Sequence, residues 1–111
     1  MSRDRVLEPA YLVEAPGTGQ VTVKRDSGFL GSGCAARVFI DAVPVVELMP
    51  SEKAVLHLAA GDHIVSVQTT NRGLCRDSNT PEFRGSVTAG KSLTLRVGVE
   101  MGGLAIYPTA F

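Results

Sequence analysis

From Gln20 onward the apolar residues of this chain recur at every second position, in short runs separated by turn-forming residues. That pattern is the strongest constraint on the fold. A backbone whose successive side chains point to opposite faces is a β-strand, and a strand with one apolar face must lay it against another sheet. "QVTVKR" puts Val21 and Val23 on one face and Thr22 and Lys24 on the other. "AARVFID" and "PVVEL" form the next two runs, "KAVLHL" and "DHIVSVQT" follow, then "EFRGSV" and "SLTLRVGV", and a short "LAIY" leads to Pro108. No segment carries a helical period. Short strands at intervals of about 8–12 residues, with turn signals between them, predict an all-β fold: an antiparallel, Ig-like sandwich of seven or eight strands.

The spacing also predicts pairings. A three-residue loop at Ala42-Val43-Pro44 sets Ile40 against Val46 and Val38 against Leu48, which keeps Val46 on the apolar side. A hairpin around Ala60-Gly61 sets Leu58 against His63, Leu56 against Val65 and Ala54 against Val67. A further hairpin joins "EFRGSV" to "SLTLRVGV" through "AGK", with Phe83 and Val87 facing the same way as Leu93, Leu95, Val97 and Val99. Residues 1–19, polar and marked by Pro and Gly, read as an extended or partly disordered arm, and residues 20–111 as a single domain. A chain of 111 residues has enough surface to bury for one core.

Composition narrows the function classes. Lys and Arg together number 11, as do Asp and Glu, so no net field recruits nucleic acid or anionic lipid. There is no tryptophan, and aromatic residues make up 5%, which argues against a single-strand stacking platform and gives a sugar-binding module only Tyr11 and Tyr107. No apolar run has the length of a membrane span, and the start, "MSRDRVLEPAYLVEAPGTG", lacks the apolar stretch of an intact signal peptide. Two readings fit this start: the cytoplasm if Met1 is native, or an exported protein whose leader has been removed.

The segment "RDSGFLGSGC", Arg25 to Cys34, looks at first like a phosphate cradle. It is not one by motif: the lysine of a Walker A loop is absent, the glycines at 28, 31 and 33 lack dinucleotide spacing, and a strand follows rather than a helix. It reads as a wide β-loop whose glycines permit positive φ and whose Phe29 folds back as a plug. Arg25 and Asp26 cap its turn, or form a recognition surface with Phe29 and with Arg72 of "NRGLCRD". Ser27 and Ser32 lack the strand-to-helix elbow of a serine nucleophile. Glu47 and Glu52 read as solvated charges, and His57 and His63 diverge too far to share a metal. No catalytic, cofactor or metal residues are therefore assigned, and no enzyme activity is expected. Cys34 and Cys75 each sit at a strand boundary, where bridges commonly tie sandwich loops, so a Cys34–Cys75 disulfide is the expectation; two unrelated thiols or a metal pair are the alternatives.

The ordered set "VTVKRDSGFLGSGC", "VFIDAVPVVEL", "SEKAVLHLAAGDHIVSV" and "AGKSLTLRVG" resembles small bacterial envelope lipoproteins of unknown function with PEGA-like β-sandwich domains. The likeness covers about residues 18–111. Its pattern, R-D-x-G-F-x-G-S-x-C followed by a strand ending in Asp and then by G-x-H opening a strand, falls on Arg25, Asp26, Gly28, Phe29, Gly31, Ser32, Cys34, Asp41, Gly61 and His63. Cys75 in "GLC" fits as well. The family usually has Asp-Gly at the first hairpin, where this chain has Asp41-Ala42. The resemblance implies an oxidising compartment (the periplasm or the attached outer envelope), a disulfide and a lipid anchor lying outside this chain as the sole membrane contact. It supplies no catalytic residue or ligand. The expected role is a non-enzymatic envelope protein that binds or scaffolds a protein or cell-wall component, with an immunity or inhibitor protein against a secreted enzyme, or a weak carbohydrate-binding module, as rivals.

Overall fold

The computed structural model describes residues 5–26, 34–69, 79–100 and 103–111, with the side chains of 99, 100 and 103 excepted. Eight strands fill most of this: β1 (Thr18–Arg25), β2 (Ala36–Ile40), β3 (Val43–Leu48), β4 (Lys53–Ala59), β5 (Gly61–Thr69), β6 (Glu82–Val87), β7 (Ser92–Glu100) and β8 (Gly103–Pro108). They form two four-stranded sheets, ordered β4-β1-β7-β8 and β3-β2-β5-β6, packed face to face as a β-sandwich. No helix among the described residues is long and apolar enough to cross a membrane.

The alternation read from the sequence becomes the core. Val21 and Val23 of β1, Val38 and Ile40 of β2, Leu56 and Leu58 of β4, Val65 and Val67 of β5, and Leu95 and Val97 of β7 are all buried in one cluster, which Phe83 and Leu93 flank. The two facing layers remove this apolar area from water, the main favourable term in a fold of this kind.

Strand pairing departs from the expected hairpins. β4 and β5 do not pair with each other. β4 lies antiparallel to β1, with Val21 opposite Leu56, and β5 lies between β2 and β6 in the other sheet. The chain changes sheets across Ala60, and Gly61 takes φ +133°, a backbone that L side chains rarely adopt. Leu56 and Val65 therefore share the core from opposite sheets. The expected β6–β7 hairpin fails likewise: β6 pairs with β5, and β7 pairs with β1 and β8. The β1–β7 pair is parallel, an exception to the antiparallel plan, and the strands between supply the crossover that a parallel pair requires.

The β2–β3 hairpin does form, in another register. A two-residue turn, Asp41-Ala42, sets Ile40 against Val43, and a bulge between Val38 and Phe39 leaves Val45 as the extra residue, so that Val38 faces Val46 and Ala36 faces Leu48. The extra residue resolves the conflict that favoured a longer loop, because Val45 and Val46 are both fully buried. Asp41 and Ala42 have φ of +50° and +71°, as a hairpin turn of the primed type demands. Alanine in that region costs about 1–2 kcal/mol, which a glycine there would avoid.

The lead-in is docked from Arg5 rather than extended. The N–H groups of Leu7 and Glu8 donate to the Val45 carbonyl at 2.8 and 3.0 Å, and Val6 bridges to Val46. A 3₁₀ turn, Pro9–Leu12, then carries Tyr11 and Leu12 against the core beside β4. β1 begins at Thr18, two residues earlier than the periodicity implies. On the opposite side the edge strand β8 is clamped by one side chain. Asn79 donates to the Leu104 carbonyl at 2.8 Å and accepts from the Leu104 N–H at 3.1 Å, so it occupies main-chain groups left open at a sheet edge.

Leu56 is fully buried and Val55 only partly. Leu56→Ala should destabilise by about 2–5 kcal/mol and Val55→Ala by much less, measured by urea unfolding. Equal losses would refute the assignment of faces on β4.

Candidate functional site

The last inward-facing residue of β1 is an arginine. The alternation that buries Val21 and Val23 also buries Arg25, which is 8% exposed. Its guanidinium donates to the Cys34 carbonyl and, at 2.7 Å, to the Leu48 carbonyl, joining the end of β1 to the approach to β2 and the end of β3. Burial lowers the Arg25 pKa, and the Glu52 charge works against that shift. An arginine enclosed in this way anchors the end of β1, the capping role of the two read for it, while part of it still lines a surface cleft.

Asp26, the next residue, is turned outward again. Its N–H donates to the Val97 carbonyl at 2.9 Å, and its Oδ1 accepts from Arg96 Nη1 at 2.5 Å. Its other oxygen lies against Gly98, where a Cβ would stand 2.9 Å away, so a side chain at 98 would displace the carboxylate. Phe29, Arg72 and Cys75 lie outside the described residues, as do Ser27, Ser32 and the loop glycines. Cys34 is buried immediately before β2.

Beside Asp26 is an open cleft of about 520 Å³, lined by Lys24, Arg25, Asp26, Ser51, Glu52, Lys53 and Arg96. Its floor is the tight connection from β3 to β4. Ser51 has φ +69° and donates its N–H to the Arg25 carbonyl at 3.1 Å, while the Arg25 N–H donates to the Glu52 carbonyl at 2.9 Å. Glu52 Oε1 accepts from the Met49 N–H at 2.8 Å, and Oε2 pairs with Arg5 at 2.5 Å. Burial disfavours the Glu52 carboxylate, but the Met49 N–H and Arg5 outweigh it and the pKa falls. Neither glutamate is the free solvated charge that its position in the sequence implies: Glu47 pairs across strands with Arg37 at 2.6 Å. Lys24, Lys53 and Arg96 were not singled out by motif, because only the strand register brings them together.

The histidines lie apart. His57 is on the outer face, opposite Gln20. His63 lies by the Asp41-Ala42 turn, at the end of β2 away from the cleft. Its Nδ1 is 2.6 Å from Asp41 Oδ2, and its Nε2 is 2.6 Å from the Ala59 carbonyl. Asp41 Oδ1 accepts the Ile64 N–H at 2.9 Å. Tyr11 is packed on the core and Tyr107 is half-buried opposite Arg96, so the two do not make one exposed platform. Comparison of the chain with family models, with curated proteins and with solved structures finds no match.

The Asp41–His63 pair leads to an expected pH dependence of stability. Burial pulls the His63 pKa down, but bonds to Asp41 and the Ala59 carbonyl, with the charges of Asp41 and Asp62, raise it above 6.5 overall. The Ile64 N–H and His63 lower that of Asp41 below 3.8. The His63 contribution is complete below pH 6.5 and is lost as pH rises through its raised value. That of Asp41 is complete above pH 3.8 and is lost as pH falls through its lowered value. The melting temperature should therefore fall from the mildly acidic to the mildly alkaline range, and Asp41→Asn should flatten that slope. A His63 midpoint at or below 6.5 by NMR titration would contradict the assignment.

Proposed function

We propose that this protein is a non-catalytic β-sandwich of the bacterial cell envelope that binds or scaffolds a protein or cell-wall component at its charged end. The observation that carries this reading is the cleft beside Asp26, open to solvent and built where β1 ends. Rigid positioning favours binding, because groups held in place lose little further freedom when a partner arrives. The likeness of the Arg25–Cys34 segment and its companions to envelope lipoproteins supports the compartment.

A Cys34–Cys75 bridge belongs to the same reading. It would tie the buried start of β2 to the "RGLCRD" segment and, in the chain-entropy view, contribute roughly 4 kcal/mol by restricting the unfolded chain. Protein isolated from an oxidising compartment should show no free thiol when denatured without reductant. Two titratable thiols would remove the bridge.

Capture from envelope extract tests the function. The wild type should retain a partner that Asp26→Ala/Phe29→Ala loses, once circular dichroism shows both proteins folded. Equal retention would place the partner elsewhere on the surface.

A further inference from the structure

The register of the β4-β1-β7 sheet aligns three cations. Lys24 is directly opposite Lys53 on one side and Arg96 on the other. Their neighbours Val23, Ala54 and Leu95 are the buried inward residues, so all three cations belong to the outer face. Adjacent strands are about 4.8 Å apart, and like charges directly opposite one another destabilise a sheet. The chain offsets only part of this. Asp26 engages Arg96, and Lys24 Nζ donates to the main-chain oxygen of Phe111. Lys53 is exposed and has no acidic partner among the described residues.

From this arrangement we propose that the Lys53–Lys24–Arg96 row is a binding site for an acidic, extended segment of a protein partner, lying across the strands. This rests on the binding role proposed above and names the chemistry that the site takes. Two observations favour a peptide over another polyanion. A main-chain oxygen of this chain, that of Phe111, already sits on the central lysine. Phe111 itself is 81% exposed, and aromatic residues and arginine, here Phe111 and Arg96, are enriched in protein–protein interfaces. Successive same-face side chains of an extended segment repeat at about 7 Å, so alternate carboxylates can reach neighbouring members of the row.

Fluorescence anisotropy with labelled poly-L-glutamate tests this, with inorganic polyphosphate of matched charge and phosphatidylglycerol vesicles as the competing anions. The wild type should bind poly-L-glutamate more tightly than either, with affinity falling as salt rises. Lys24→Gln/Lys53→Gln should weaken binding about tenfold, as loss of two exposed ion pairs implies. Lys91→Gln, just before the other end of β7, should not. The double variant should melt no lower than the wild type, since repulsion is relieved, which separates lost binding from lost folding; Lys53→Gln alone serves if the pair fails to fold. Absence of poly-L-glutamate binding, equal or tighter binding of polyphosphate or vesicles, or binding untouched by the double variant would each overturn the proposal. Such a failure leaves the envelope role standing if Asp26→Ala/Phe29→Ala still loses a captured partner. Binding that the double variant loses, with no partner captured from the envelope, would uphold the row and sink that role.

Discussion

The buried guanidinium of Arg25 is the constraint on which the charged end of the molecule depends. A charge taken out of water is tolerated only where hydrogen bonds replace its hydration, and Arg25 meets carbonyls from two other segments of the chain. Those bonds fix where β1 ends and where the chain comes back to enter β2. Because Arg25 points inward, Asp26 must point outward, and its carboxylate is then held between Arg96 and the bare backbone of Gly98. The cleft is a consequence of one inward arginine at the end of an alternating strand.

The second organising fact is that the chain repeatedly leaves one sheet for the other. β1, β4 and β7 are brought together from distant parts of the sequence, while β2, β3, β5 and β6 form the opposing layer. Two of the crossing points show the local chemistry that builds them: Gly61 at the β4–β5 corner, and the Met49–Glu52 turn, held by the Glu52 carboxylate and Arg5, between β3 and β4. The N-terminal segment uses the carbonyl exposed by the β3 bulge, so an irregularity in one strand becomes the attachment point for another part of the chain. The row of like charges follows from the same topology, since Lys24, Lys53 and Arg96 meet only because their three strands do. A sheet that keeps such a row has given up some stability on that face.

Much of this was legible in the residues, and the limits of legibility have a physical source. Period-two alternation assigns a side chain to a face, and the residues assigned inward, from Val21 to Val97, are inward. Alternation carries no information about which strand lies alongside, because main-chain hydrogen bonds are chemically the same for every partner. Leu56 and Val65 thus read as neighbours in a hairpin and are neighbours across the core instead. The β2–β3 register was missed for a related reason: a bulge shifts the period by one residue, and "VPVVEL" gives no local sign of it.

The sequence by itself determined the all-β class, the inward faces of β1, β2, β4, β5 and β7, a break between strands near Gly61, and the absence of a nucleotide motif in "RDSGFLGSGC". These depend on side-chain alternation and on backbone preferences that act within a few residues. Only the tertiary structure decided the strand partners, the parallel β1–β7 pair, the burial of Arg25, the pairing of Glu47 and Glu52, and the cation row. Each of these depends on what a residue meets from far along the chain, and such contacts are selected by the packing of two whole apolar faces rather than by any local run of residues.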